Sequence, residues 1–411
     1  MPLPARIVIP LRQHQGEAYK PLVKIGDKVL TGQKIGDSDN VLSSPVHASI
    51  SGEVTDFITL IEPKTGQTEQ AIVIASDGKD EWIKLPAPAE PQSLSHEETL
   101  KRIREAGVVG LGGAVFPSHA KLSPPGGKKI DTVILNGCEC EPCLSGDHRV
   151  MLEHGREVLS GLDIIRNLVS PDKVYIAIED DKADAIENIR KLISEMKLDF
   201  EVVSLKSRYP AGAERLLVQA LLGKEIPIRG IPPDIAVIVQ NVSTARAIHD
   251  AVTEGKPLIE QVVTVTGAVK EPKNLLVRLG TPARDIIDYC GGMTADAPEV
   301  VLGGPMTGFS IADLDCPITK GIRCVLVKET APVKELACIR CGRCLDACPM
   351  RLEPTMLARY ARAGLYEDCR RLYIDQCFEC GSCAFVCPAG IPITQYIKIA
   401  RRELGRRASP R

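Results

Sequence analysis

The sequence predicts a multidomain chain centred on an α/β domain, with a small all-β module before it and an α+β insert and a cysteine-rich helical domain after it. Three observations predict this. Short apolar runs broken by Gly-Asp and Thr-Gly turns fill the first 80 residues. Strand-like and helix-like stretches then alternate to about Asp250. Near the C-terminus, one cysteine spacing occurs twice.

In residues 1–80, KIGDKV, LTGQKIG and SISGEV read as short strands bounded by turns. The run GDKVLTGQKIGDSDNVLSSPVHASISGEV resembles the barrel-sandwich module of lipoyl and biotinyl carrier domains. Those domains present a modifiable Lys at a hairpin tip, whereas this region reads Gly36-Asp37-Ser38-Asp39-Asn40. A docking or scaffold role is expected instead, with His47 structural. KDEWIKLPAPAEPQSLS, rich in Pro and polar residues, suits a linker. Ser95 and Glu98 form the capping-box pattern that opens a helix over HEETLKRIREAG.

Residues 95–255 alternate strands (TVILNG, KVYIAIE, FEVVSL, IAVIVQNV) with helices (HGREVLSGLDIIRNLV, KADAIENIRKLISEM, GAERLLVQALLG). Alternation of this kind predicts a largely parallel sheet with helices packed on it. Residues 256–328 return to short strands (QVVTVTGAV, EVVLGG, RCVLVK) around one helix at Pro282–Cys290. The final segment, 329–411, is helical, with Leu357, Tyr360, Leu365 and Leu372 at helical spacing between the cysteine groups.

Composition narrows the function. With 51 Lys+Arg against 53 Asp+Glu, a net charge of −2 and 4% aromatics, the chain lacks the basic face and stacking rings of a nucleic-acid binder. No run approaches the ~20 apolar residues of a membrane span, and MPLPARIVIPLRQ has no signal-peptide pattern, so a cytoplasmic location is expected. In that compartment thiols stay reduced, and 15 cysteines, an odd number, point to metal rather than to disulfides. The arginine-rich end RRELGRRASPR reads as a solvated helix end, or as a contact for an acidic partner or anionic lipid.

The cysteine spacing carries the strongest signal. Cys338-x2-Cys341-x2-Cys344-x3-Cys348-Pro349 recurs as Cys377-x2-Cys380-x2-Cys383-x3-Cys387-Pro388. In such runs three thiolates from one tight loop hold a [4Fe–4S] cluster, and the fourth Cys ligates the other cluster. One cluster is therefore expected on Cys338, Cys341, Cys344 and Cys387, and a second on Cys377, Cys380, Cys383 and Cys348. Zinc sites use two C-x2-C pairs across a longer loop and fit less well. Cys290, Cys316, Cys324 and Cys369 read as core. Clusters pass single electrons, so a source or sink is needed elsewhere.

Two loops of the α/β domain are candidates. GVVGLGGAVFPSHAKL is glycine-rich, which lets backbone approach a phosphate, although it matches neither the dinucleotide fingerprint nor a Walker loop. TVILNG is followed by Cys138-Glu139-Cys140-Glu141-Pro142, which sets two carboxylates at the carboxyl edge of the sheet, where such folds bind ligands. The trio Cys138, Cys140 and Cys143 has two readings: small residues lining a pocket edge, or a further metal or redox-active thiol site. His119 and His148 are expected to be structural.

GLGGAVFPSHAKL, NGCECEPCLSGDHR, YPAGAERLL, QNVSTARAIHDAV and the two cysteine motifs, in that order, resemble the C subunit of the Rnf electron-transport complex. That family is in turn similar to the flavin-binding NADH subunit of respiratory complex I. The resemblance covers essentially the whole chain. It implies an N-terminal barrel-sandwich module, an α/β domain binding FMN non-covalently and exchanging hydride with NADH, a β-grasp insert, and a helical ferredoxin-like domain with two [4Fe–4S] clusters. It further implies that Gly110, Gly112, Gly113 and Lys121 cradle the flavin phosphate and ring edge. Asn136, Glu139, Gly212, Asn241 and Thr244 would hold the flavin, and Phe116, Glu141 and Glu214 would face the nicotinamide nucleotide. The chain departs from the complex I relative at Cys138 and Ala213, where that protein has acids, and at Val115, where it has glycine.

The function implied is that of a peripheral subunit on the cytoplasmic side of the membrane, an NADH:acceptor oxidoreductase. Its partners would be membrane subunits that couple ferredoxin:NAD oxidoreduction to ion transport, one of them a ferredoxin-like iron–sulfur subunit. Two alternatives stand beside it: a soluble relative serving as cobalamin reductase or amino-acid reductase partner, and a non-enzymatic electron relay.

Overall fold

The computed structural model describes residues 1–62, 66–296, 298–329 and 334–408. Val333 and the last three residues, including part of the arginine-rich end, lie outside the described residues.

Strands β1 (Arg6–Pro10), β2 (Gly52–Ile61) and β3 (Thr68–Ser76) form an antiparallel sheet, with β3 between the other two. Ile7, Ile9, Ile72 and Ile74 are buried on the side facing a second small sheet that contains Lys34–Asp37 and Val46–His47. Helix α1 (His96–Glu105) opens on the expected box: Glu98 N–H donates to the Ser95 hydroxyl at 3.2 Å, and Ser95 N–H donates to the Glu98 carboxylate at 2.8 Å. Together these satisfy two of the helix's free amides.

The alternation that follows forms a four-stranded, all-parallel sheet. Its strands are β4 (Thr132–Gly137), β5 (Lys173–Glu179), β6 (Glu201–Leu205) and β7 (Val237–Asn241), in the spatial order β6–β5–β4–β7. Helices α2 (Gly146–Glu153), α3 (Gly155–Val169), α4 (Ala183–Met196), α5 (Glu214–Leu222) and α6 (Val242–His249) cover it. Both faces are apolar because both are covered: Val133 and Leu135 pack with α3 and α4, and Ile134 packs with Leu217 and Val218 of α5. At the C-terminal end of α6 the ladder widens into one π turn, Asp250–Glu254.

The insert is a mixed five-stranded sheet of β8 (Glu260–Gly267), β9 (Lys273–Arg278), β10 (Pro298–Leu302), β11 (Phe309–Ile311) and β12 (Cys324–Glu329), ordered β9–β8–β12–β10–β11. Helix α7 (Ala283–Tyr289) buries Ile286 and Ile287 against it. Strand β9 is not among those the sequence pattern predicts. In the C-terminal domain, α8 (Pro354–Arg362), α9 (Tyr366–Arg371) and α10 (Ile393–Ala408) pack around a core of Leu357, Ile374, Ile397 and the buried Cys369.

Candidate cofactor site

From β4 the chain moves outward to β5 and then β6, and β7 is added on the other side of β4. The connections therefore diverge between β4 and β7, and a crevice opens at their carboxyl ends, the position where open α/β sheets bind ligands. Asn136 and Asn241, the last polar residues of these two strands, are register partners across that gap. The Asn136 amide donates to Gly212 O at 2.8 Å. Asn241 caps α6 by accepting from Ser243 N–H and Thr244 N–H.

The glycine-rich loop closes over the crevice. Its base is pinned by Gly110 N–H to Phe116 O at 2.8 Å, and its flank by Leu111 N–H to Thr244 Oγ1 at 2.8 Å. Between these anchors, the N–H groups of Gly112, Gly113 and Ala114 find no acceptor among the described residues. Gly113 has φ +96°, and a Cβ there would meet no atom within 4 Å. A tip of free amides facing open space is the donor set a phosphate or a ring edge requires. Lys121 lies nearby and is ion-paired with Glu214 at 2.8 Å. The Phe116 side chain is half-buried. Val115 adopts φ +46°, a left-handed conformation that is strained for a β-branched residue.

The N-terminal module braces this loop from behind. Gln15 N–H donates to Val115 O at 3.1 Å, and Gln15 Nε2 donates to Ala114 O at 2.7 Å. Lys320, 1% exposed, donates from Nζ to Pro45 O at 2.9 Å and to Gly107 O at 2.7 Å, and its backbone N–H donates to Gln13 Oε1. Burial brings its pKa down to about 7, and its N–H groups serve these two carbonyls. His47, next to it, is pushed to about 3 by burial and by the Lys320 charge, as suits a structural histidine. The other two loop histidines are also bonded: His119 Nε2 lies 2.9 Å from Val41 O, and His148 Nε2 lies 2.8 Å from Asp184 Oδ1.

The acidic loop is held internally. Glu139 accepts from Asp147 N–H at 2.7 Å and His148 N–H at 2.9 Å, at the start of α2. Arg323 approaches Asp147 at 2.5 Å and Glu139 at 3.6 Å. Burial, and then the Asp147 charge, raise the Glu139 pKa. Asp147 also accepts from Asn241 Nδ2 and Ser243 Oγ, so this buried network sets the crevice wall. Glu141 reaches away from the loop tip. It accepts from Met306 N–H at 2.8 Å and Thr307 N–H at 3.1 Å, both in the insert. Both carboxylates are thus committed to protein partners. Arg323, Lys320 and the 304–307 loop escape a reading of motifs because each acts across a long sequence separation.

Two of the three cysteines, Cys138 and Cys140, are packed rather than activated. A Cβ at Gly212 would stand 3.1 Å from Cys138 Cβ and 3.1 Å from Cys140 Sγ, so the two thiols pack against the 209–213 turn. Burial raises the pKa of Cys138, and raises that of Cys140 to about 11. Upward shifts of these two thiols disfavour the thiolate and support the pocket-edge reading over the redox-active one. Cys290 and Cys324 are core as expected, whereas Cys316 is only half-buried.

The two cysteine motifs share one backbone plan. The residue before the second Cys is left-handed in both, Arg340 at φ +56° and Glu379 at +60°, and so is the glycine after it, Gly342 and Gly381. A single helical turn then carries the third Cys: Arg343–Asp346 in one motif, Ser382–Phe385 in the other. Left-handed residues on both sides of the second Cys turn each loop tightly. Cys348 lines one cavity with Cys377, Cys380 and Cys383, while Cys387, Cys338 and Cys341 all lie within electrostatic reach of Cys344. Backbone N–H groups point at sulfur: Leu352 to Cys348 at 3.3 Å, and Glu379 to Cys377 at 3.4 Å. Such bonds favour the thiolate that iron requires, so the residues fit the clusters. Tyr209, from the turn beside Cys140, donates its hydroxyl to Cys380 O at 2.5 Å.

Comparison with known proteins follows this layout along the chain. Residues 1–79 match the family model of the RnfC barrel sandwich hybrid domain, and residues 103–250 that of the Nuo51 FMN-binding domain. Residues 262–310 match the SLBB domain, and 335–391 a 4Fe-4S dicluster domain. The C subunit of the proton-translocating ferredoxin:NAD(+) oxidoreductase complex of Clostridium ljungdahlii is 47% identical over 377 residues, 90% of this chain and 82% of that protein. The chain belongs to the RnfC family. The C subunit of the Na(+)-translocating ferredoxin:NAD(+) oxidoreductase complex of Acetobacterium woodii is 39% identical over 89% of this chain and 83% of its own length. Its counterpart in the ion-translocating oxidoreductase complex of Pseudomonas aeruginosa is 40% identical, and the chain spans 48% of it. Among solved structures, a chain of an NAD+-reducing [NiFe]-hydrogenase in the H2-reduced state superposes with a TM-score of 0.52 at 18% identity, covering 78% of this chain and 64% of that one. This last likeness is one of fold. As a member of the RnfC family, the chain has an FMN-binding domain and a [4Fe–4S] domain.

Proposed function

We propose that this RnfC-family protein is the peripheral, cytoplasmic-side oxidoreductase subunit of an ion-translocating ferredoxin:NAD complex. When bound, FMN supplies two-electron hydride exchange with NAD(H) and one-electron exchange with two [4Fe–4S] clusters, which relay single electrons to partner subunits. The observation that carries this reading is the junction of the two halves of the site, where the Tyr209 hydroxyl bonds Cys380 O beside the carboxyl edge of the parallel sheet.

The chain's own residues divide as follows. The free amides of Gly112 and Gly113, with Gly110 closing the loop base and Lys121 beside it, bind the flavin phosphate and ring edge. Asn136, Gly212, Asn241 and Thr244 shape the crevice, and Glu139 fixes it through α2. Phe116 and Glu214 border the nucleotide side, and Glu141 keeps the insert and cluster loop in register with it. Cys377, Cys380, Cys383 and Cys348 hold the flavin-side cluster. Cys338, Cys341, Cys344 and Cys387 hold the outer one, where Cys338 and Cys341 are exposed. No helix among the described residues is long and apolar enough to cross a membrane, which accords with a peripheral position.

The test is metal and flavin analysis of anaerobically purified protein. About eight irons and one acid-releasable FMN per chain are expected from two cubane clusters. About four irons per chain would remove the second cluster and with it the relay.

A further inference from the structure

A cavity of about 360 Å³ lies between the α/β domain and the insert. Helices α2 and α6 line one side of it, and strands β8 and β9 the other. None of its lining residues belongs to the flavin crevice. In size it falls at the lower end of the range for small-molecule sites. Val150, Val262 and Leu276 give it apolar walls, and Arg149, Arg246 and Lys273 bring cations to it from α2, α6 and β9.

One of these cations has donors to spare. The Arg246 side chain is 17% exposed, and Asp250 Oδ2 stands 3.9 Å from its Nε, beyond hydrogen-bond reach. Among the described residues nothing else accepts from its guanidinium. The others are engaged: Arg149 Nε donates to Glu153 Oε1 at 2.8 Å, and Lys273 Nζ donates to Glu271 Oε2 at 2.6 Å. His154, also on the wall, has Nδ1 at 3.6 Å from Glu157. Glu153, the one carboxylate lining the cavity, is therefore already held by Arg149. A guanidinium offers five N–H donors in a planar fork, and leaving them unserved in a largely buried place is costly. An oxyanion gripped by two of them supplies the missing acceptors. Three cations to one carboxylate around the cavity suit a dianion better than a single negative charge.

We propose that this cleft binds a small phosphate monoester, with the phosphate on Arg246 and the organic part against Val150, Val262 and Leu276. Arg149 and Lys273 add attraction from either side while keeping their own carboxylate partners. The site is separate from the flavin crevice and does not depend on the function proposed above.

The test is anaerobic titration calorimetry of the FMN- and cluster-loaded chain with phenyl phosphate, beside benzoate and phenol as probes of lower charge and of none. With the flavin in place, its own phosphate site is filled. Saturable binding of phenyl phosphate is expected, tighter than that of benzoate, with none for phenol. Arg246→Gln should weaken it roughly tenfold or more, the loss that goes with a charge-assisted hydrogen bond, at unchanged FMN and iron content. Arg149→Gln and Lys273→Gln, at more exposed positions, should each weaken it about threefold and serve where Arg246→Gln lowers the cofactor content. No saturable binding by the unmodified chain overturns the proposal, and so does equal affinity for all three variants. Benzoate bound as tightly as phenyl phosphate also overturns it, since the cleft then takes a carboxylate. Reduction of bound flavin by NADH is scored in the same samples. If that fails while binding behaves as expected, the function falls and the cleft stands.

Discussion

Replacing Arg323 by Met probes how the crevice is held. Arg323 neutralises two carboxylates whose side chains are 1% and 2% exposed, Glu139 and Asp147. Removing one partner of such a buried group costs ~3–5 kcal/mol, because charge is left stranded. Here the loss falls at the low end. Glu139 keeps its bonds from Asp147 N–H and His148 N–H, and Asp147 keeps those from Asn241 and Ser243. A loss of about 3 kcal/mol corresponds to a roughly hundredfold shift in the local opening equilibrium. Native-state hydrogen exchange at the start of α2 should show it, with FMN affinity falling in parallel. The sign with pH is fixed. Burial raises the Glu139 pKa in the folded state, so its ionisation opposes folding at pH values above the unfolded value, and more so without Arg323. The defect should therefore be larger at pH 8 than at pH 5. A loss under 1 kcal/mol at pH 8, or one that grows on acidification, would refute the reasoning.

Further outcomes follow from other parts of the site. Lys320→Met leaves Pro45 O and Gly107 O without a donor, a cost of ~1–3 kcal/mol for each buried group left unsatisfied. Fluorescence titration should show FMN binding at least tenfold weaker while iron content is unchanged. Val115→Gly relieves a left-handed β-branched residue worth ~1–2 kcal/mol and gives back ~0.5–1 kcal/mol in chain entropy, so thermal unfolding should show a gain of up to about 1.5 kcal/mol. Cys348→Ser should abolish the cluster on the Cys377 loop rather than the one on its own loop. Iron should fall towards about four per chain, with the remaining electron paramagnetic resonance signal that of the outer cluster.

What is legible in the sequence is what local pattern encodes. The Ser95–Glu98 box, the parallel strands and the cysteine spacing all concern residues within a few positions of one another, and each takes the expected form. Strand β9 escapes such a reading because KNLLVR is short and half polar, and its pairing with β8 comes from the insert's sheet rather than from its own alternation. The roles of Glu139 and Glu141 are harder still. Motif position sets both at the sheet edge, which is where they lie. Arg323 and the 304–307 loop, more than 160 residues away, then claim their oxygens. Likewise the raised thiols of Cys138 and Cys140 follow from burial under the 209–213 turn, which no spacing among cysteines reveals.

In the proposed function one chain joins hydride exchange to single-electron relay through the Tyr209 junction. Its most direct test is an anaerobic titration of the cofactor-loaded protein with NADH, followed by visible spectroscopy. Bleaching of the flavin band followed by loss of the iron–sulfur shoulder is expected. A flavin that stays oxidised in excess NADH, with iron and FMN at full content, would contradict it.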